Sequence, residues 1–220
     1  MQKQHNFHFL SLALILIITT SFSCTEKSDF KLIEGDLLFQ DLDSSPLCDG
    51  IEKVTSGFNN WDFSHIGIVT IINNQHYVLE AFSNGVDTVL LEVFLNRSID
   101  DNKKPKVVVG RLKKKHSHLI SKAVRAGHNL LGKQYDEEFK IDNNKFYCSE
   151  LIYEIFYHAN NNQDFFYLEP MTYKFNNETL PVWTEYFNNV NISIPEGEPG
   201  INPGGISLSE KINIIGNYQD

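Results

Sequence analysis

Cysteine is scarce in this chain of 220 residues: there are three, no two in a CxxC pair, so a structural zinc site has no ligand spacing to build on. Positive charge is short too. Nineteen Lys and Arg stand against 28 Asp and Glu, for a formal net charge of -9, and an acidic chain lacks the clustered cations that phosphate neutralisation requires. Nucleic acid is therefore not expected as a partner. The one basic cluster, RLKKK at Arg111 to Lys115, is short and reads as a solvated strand-to-helix junction. No internal repeat or low-complexity segment stands out. His116, His118 and His128 share a predicted helix at spacings that form no metal triad, so no metal and no cofactor are expected. What is present, 41% hydrophobic and 21% charged residues, is enough to bury the core of one ordinary domain.

The first residues stand apart from that core. LSLALILIITT, Leu10 to Thr20, is an apolar and hydroxyl run after a short start carrying Lys3. At about eleven residues it is short for a bilayer span and suits the apolar stretch of a secretory signal. It ends in Ser21-Phe22-Ser23-Cys24, which resembles the lipobox of bacterial lipoproteins, with Ser21 where leucine is usual. The expectation is a signal peptide over 1–23, a lipidated Cys24 as the new N-terminus, a linker over 24–30 and a single domain over 31–220. A plain cleaved signal and an uncleaved anchor are the alternatives. Loss of Lys3 with the signal takes the net charge from -9 to -10. The lipobox resemblance implies a protein of the bacterial cell envelope, held to the membrane by its lipid; a monomer is expected. In that oxidising compartment Cys48 and Cys148 remain, free or joined to each other.

Along the domain, KLIEGDLLFQ (Lys31 to Gln40) reads as an opening strand, and residues 41–63 as a long connection with one short helix. SHIGIVTII (Ser64 to Ile72) and QHYVLEAF (Gln75 to Phe82) are rich in β-branched and aromatic residues and flank the polar pair Asn73-Asn74, the pattern of a tight hairpin. Strands are expected at Thr88 to Val93 and Lys106 to Leu112, and a helix over His116 to Leu131 stopped by Gly132. In YCSELIYEIFYH, Tyr147 to His158, the spacing of Ile152, Ile155, Phe156 and Ala159 marks one helix face. The remainder carries Pro170, Pro181, Pro195, Pro199 and Pro203 and reads as mostly extended chain.

Cys148 opens the last of these helices. A buried cysteine is usually a small core hydrophobe; it becomes a nucleophile where an imidazole and a helix N-terminus both favour the thiolate. The hairpin supplies the partners. With a two-residue turn at Asn73-Asn74, position 65 faces position 82, which sets Glu80 on the same sheet face as His65 and diagonal to it. A carboxylate there can fix the imidazole's tautomer and stabilise its charged form. The pairing depends on register, since a one-residue slip sends the two side chains to opposite faces.

GDLLFQ, SHIGIV, VLEAF, GKQYDEEF and YCSELIY, in that order over about residues 32–210, resemble the permuted papain-like cysteine hydrolases of the YiiX/YebB type in the NlpC superfamily. In the unpermuted enzymes the cysteine helix comes first; here the histidine hairpin does. The resemblance implies an α+β, circularly permuted papain-like (NlpC-type) fold, an antiparallel and partly closed sheet packed against the cysteine helix. It also implies Cys148 as nucleophile, His65 as general base and Glu80 as the residue that orients it. Gln134 replaces a proline usual in the family. Tyr147 is a candidate oxyanion donor beside the Cys148 backbone N–H, with plain packing as the alternative; Asp36 contacts the site or caps a turn, the turn being favoured. The activity implied is cleavage of an amide or ester through an acyl-enzyme, on cell-wall peptides or on lipid or acyl substrates. Acyl transfer by the same machinery, and a binding lipoprotein without turnover, are the alternatives.

Overall fold

A computed structural model describes residues 30–219; the expected signal peptide and Cys24 lie outside the described residues. Six strands form one sheet: β1 (Leu37–Gln40), β2 (His65–Ile72), β3 (Gln75–Phe82), β4 (Gly85–Leu90), β5 (Val107–Leu112) and β10 (Ile212–Asn217). Their spatial order is β10-β5-β1-β2-β3-β4, and every neighbouring pair is antiparallel. The order leaves two edge strands, β10 and β4, as a sheet that is at most partly closed must.

The hairpin β2–β3 lies between β1 and the edge strand β4. Asn73 and Asn74 both take positive φ, 50° and 63°, which asparagine tolerates and which a two-residue turn of matching twist requires. The register follows: Ile72 pairs with Gln75 and Ile68 with Leu79. Side-chain alternation then gives each strand two faces. Leu37, Phe39, Ile66, Ile68, Leu79 and Ala81 join the larger core, whereas Leu38, Val69, Val78, Val107 and Val109 join a smaller one on the opposite face.

Helices α3 (Ile120–His128) and α4 (Cys148–Ala159) cover the larger core. Gly127 allows α3 to approach β3 closely, because a Cβ there would lie 2.1 Å from Leu79 Cδ2. Gly127→Ala is expected to destabilise the fold by about 1–3 kcal/mol through overpacking, read as a lower urea midpoint at constant slope. The short helix α2 (Leu91–Leu95) covers the smaller core with the fully buried Phe94.

Several elements differ from the sequence reading. The strand expected over 88–93 is β4, and it turns into α2 at Leu91. The helix expected over 116–131 is a 3-10 turn at Lys114–Leu119 followed by α3. The connection 41–63 does hold α1 (Pro46–Val54). The C-terminal region is more regular than extended chain: it contains α5 (Pro181–Asn189), α6 (Pro203–Ser207) and β10. Two small ribbons accompany them, β6 (Glu169–Pro170) with β9 (Pro199–Gly200) and β7 (Lys174–Phe175) with β8 (Glu178–Thr179). Pro181 and Pro203 stand at the first position of their helices, where a missing N–H costs nothing.

Candidate active site

The hairpin brings His65 and Glu80 together. Both are buried, 2% and 1% exposed, and His65 Nε2 lies 2.6 Å from Glu80 Oε2. They point to the face of the smaller core, with the imidazole packed 5.1 Å from the Phe82 ring and 5.7 Å from that of Phe94. Arg97, just beyond α2, closes the carboxylate from the other side. Its Nη1 donates to Glu80 Oε2 at 2.7 Å and its Nη2 to Oε1 at 2.5 Å, while the guanidinium lies 4.3 Å above the Phe82 ring. A bidentate guanidinium gives a carboxylate two charge-assisted hydrogen bonds, each stronger than a neutral one. Nothing in the sequence singled out Arg97, since a lone arginine after a predicted strand carries no periodic or motif signal.

Cys148 is the first residue of α4, and it is 6% exposed. Its Sγ lies 4.0 Å from the Ser64 carbonyl oxygen, and the thiol is close enough to the His65 ring to act on its titration. Because His65 opens β2, the helix end meets the ring past the end of the strand. With Nε2 committed to Glu80, Nδ1 is the nitrogen left for the thiol. Neither Cys48 nor Cys148 is in a disulfide.

The electrostatics favour a charged imidazole. Burial alone disfavours the cation, but the neighbouring Cys148 and the carboxylate of Glu80 outweigh it, and the His65 pKa rises to about 9. Burial likewise opposes the Glu80 anion, yet His65 and Arg97 hold its pKa below the ordinary carboxylate value. Glu150, in the first turn of α4, goes the other way: burial pushes its pKa up to about 9. A neutral Glu150, accepting the Tyr147 N–H at 3.3 Å, leaves the positive end of the helix dipole beside the thiol uncancelled.

In front of Cys148 lies a cleft of about 140 Å³. Its walls are mainly apolar, with Phe139, Tyr147, Met171, Tyr173, Trp183 and Ile201 among them. The β6–β9 ribbon contributes part of the rim, and Tyr135 stands on the wall beside the thiol. Tyr147, the N-cap of α4, is on this wall, and its hydroxyl accepts the Ile201 N–H at 3.2 Å. Asp36 is placed elsewhere. Its carboxylate is paired with Arg111 at 2.7 Å and accepts the Ile33 N–H at 2.9 Å, and its own carbonyl accepts from Val69 at the other end of β1 from His65. It serves the turn and not the thiol. Among the described residues no three His, Cys, Asp or Glu side chains converge as metal ligands.

Residues 31–212 match the family model of the permuted papain-like amidase enzymes, YaeF/YiiX, C92 family. The protein YiiX of Escherichia coli strain K12 is 30% identical over 126 residues, which cover 57% of this chain and 57% of that protein. A solved structure of yiiX from Escherichia coli O157:H7, described as a metalloprotein, shares the fold with a TM-score of 0.70 at 23% identity, over 86% of this chain and 98% of that one. The trio of ligands that a metal would need has no counterpart in the described part of this chain.

Proposed function

We propose that this chain, which belongs to the permuted papain-like amidase family, hydrolyses an amide or ester through a thioester intermediate on Cys148. The observation that carries this reading is the row Cys148–His65–Glu80–Arg97, in which the thiol stands beside the imidazole, the imidazole is bonded to Glu80 and Glu80 is bonded to Arg97. His65 takes the thiol proton, and the thiolate attacks the substrate carbonyl. The backbone N–H of Cys148, unsatisfied at the helix start, faces the oxyanion. The imidazolium gives its proton to the leaving amine or alcohol, then takes one from the water that releases the acyl group. Glu80 keeps Nε2 protonated throughout, so that Nδ1 is the nitrogen that exchanges the proton. The apolar wall of Phe139, Met171, Tyr173 and Trp183 suits a substrate with an apolar group next to the scissile carbonyl, such as an acyl chain or a hydrophobic side chain.

Two measurements test this. The full-length protein is offered a library of N-acyl and peptidyl amides and acyl esters, and release of the amine or alcohol is followed. In parallel, alkylation of Cys148 by iodoacetamide is timed across pH. His65→Ala should slow alkylation near pH 7 by about tenfold or more, because the imidazole no longer stabilises the thiolate. Equal rates in parent and variant would mean that the imidazole does not activate the thiol and that Cys148 is core packing.

A further inference from the structure

From Arg111 to Tyr135 the sequence holds seven Lys and Arg, three His and no Asp or Glu. All 28 acidic residues lie outside this interval, with the other 12 basic ones. The five-residue cluster read as a solvated junction is thus one end of a 25-residue basic stretch in a chain of net charge -9. The fold puts that stretch at the surface. Lys114, Lys115 and His118 on the 3-10 turn, and Lys122 and Arg125 on α3, are exposed; Lys122 and Arg125 are three apart and share a helix face. Among the described residues none of Lys113, Lys114, Lys115, Lys122 or Arg125 makes an ion pair, whereas Arg111 is neutralised by Asp36. Elsewhere Arg97, Lys106, Lys140, Lys145 and Lys174 each pair with a carboxylate. Here like charges are left side by side.

Lys211 extends the face. Its carbonyl accepts the Lys113 N–H at 2.8 Å, and its ammonium, bonded to the Phe165 carbonyl, lies 4.1 Å from the Tyr167 ring. Tyr167 is 62% exposed and Leu208 55%. Both line a second depression, which shares Glu169, Gly200, Ile201 and Asn202 with the cleft in front of Cys148. A basic surface bordered by an exposed aromatic and an exposed leucine is the pattern that binds the boundary of an anionic bilayer: the cations meet the headgroups and the amphipathic rings sit at their level.

We propose that the face built from Lys113 to Lys115, Lys122, Arg125 and Lys211, with Tyr167 and Leu208 beside it, docks on an anionic phospholipid membrane. The distribution of charge favours a membrane over nucleic acid. A bilayer engages one side of the protein, leaving much of the acidic remainder beyond the screening length of about 8–10 Å, whereas a nucleic acid that wraps the domain meets that remainder. Docking in this way would set the rim shared by the two depressions near the headgroups. The inference stands independently of the proposed hydrolysis.

Partition of the full-length chain between buffer and vesicles tests it, with phosphatidylcholine alone compared with phosphatidylcholine mixed with phosphatidylglycerol. The N-terminal run and Lys3 are the same in parent and variant, so the change in the ratio of the two partition coefficients between them reports the folded face. The expected ratio is about tenfold or more in favour of the anionic vesicles at low salt, falling as salt rises. In a chain carrying Lys114→Glu, Lys115→Glu, Lys122→Glu and Arg125→Glu, all exposed positions, the ratio should fall to one with the thermal midpoint kept. A parental ratio of one, or a ratio the four substitutions leave unchanged, overturns the proposal. So does retention on single-stranded DNA that the substitutions abolish while vesicle partition shows no lipid preference; that result would assign the face to nucleic acid.

Discussion

Cys148→Ser is expected to lower kcat/KM on any amide the protein cleaves by about 10⁴-fold or more, the scale on which loss of a nucleophile is felt when the rest of its machinery remains. The substitution changes one atom. Serine's hydroxyl can occupy the thiol's place against the Ser64 carbonyl, where Cys148 Sγ now sits at 4.0 Å, so the fold should lose no more than about 1 kcal/mol. What is lost is chemistry: a hydroxyl at neutral pH has almost no anionic form for His65 to stabilise. Urea unfolding and steady-state turnover on the same preparation separate the two effects. Turnover within tenfold of the parent, in a variant freed of contaminating enzyme by active-site titration, would remove Cys148 from the mechanism.

Glu80→Ala should strike both stability and chemistry. Glu80 is bound by His65 at 2.6 Å and by both terminal nitrogens of Arg97. Its removal leaves two cations without their anion in a site where the histidine is 2% exposed. Breaking a buried pair in this way costs about 3–5 kcal/mol. The pH dependence follows from the two shifts. His65, raised from 6.5 to about 9, contributes stability that is complete below about 6.5 and lost as pH rises through about 9. Glu80, lowered from 4.5, contributes stability that is complete above about 4.5 and lost as pH falls through its lower folded value. The gap in stability between parent and variant should therefore be widest between about pH 4.5 and 6.5 and narrow on both sides. In turnover, the parent's alkaline limb should fall near pH 9, where the imidazolium that protonates the leaving group is lost. The variant's limb should move to lower pH, because one of the two partners that raise His65 is gone. A gap independent of pH, or an unmoved alkaline limb, would show Glu80 to be a packing residue only.

How much of this was legible in the sequence depended on whether the information was local. The hairpin was readable because two asparagines between alternating arms allow one turn and hence one register, and that register alone sets His65 and Glu80 on one face. The α4 helix was readable from its periodicity, and the position of Cys148 at its start followed. Arg97 was hidden because its partnership with Glu80 arises only when α2 folds back over β3, and no spacing in the sequence records that. The C-terminal region was misread because proline was taken as a breaker throughout. Pro181 and Pro203 instead start α5 and α6, while β10 owes its place at the sheet edge to the distant strand β5. Asp36 was weighed towards a turn, and in the structure Gly35 at φ 88° sets a bend that its carboxylate closes.

The permuted order of the site also sets a timetable for synthesis. The imidazole and its carboxylate lie fifteen positions apart in one hairpin, whereas Cys148 follows Ser64 by 84 positions. At ribosomal rates of 5–20 residues per second, that interval is roughly 4 to 17 seconds. On the proposed mechanism a growing chain thus holds the base before the thiol it would act on, and Cys148 emerges only when His65 has already been made. In the unpermuted order the cysteine would be made first and would wait, unburied, for the group that makes it reactive. Here Cys24 and Cys48 are made early, but the one sulfur that the proposed mechanism would activate is absent until residue 148 of 220, and it arrives together with the helix that buries it.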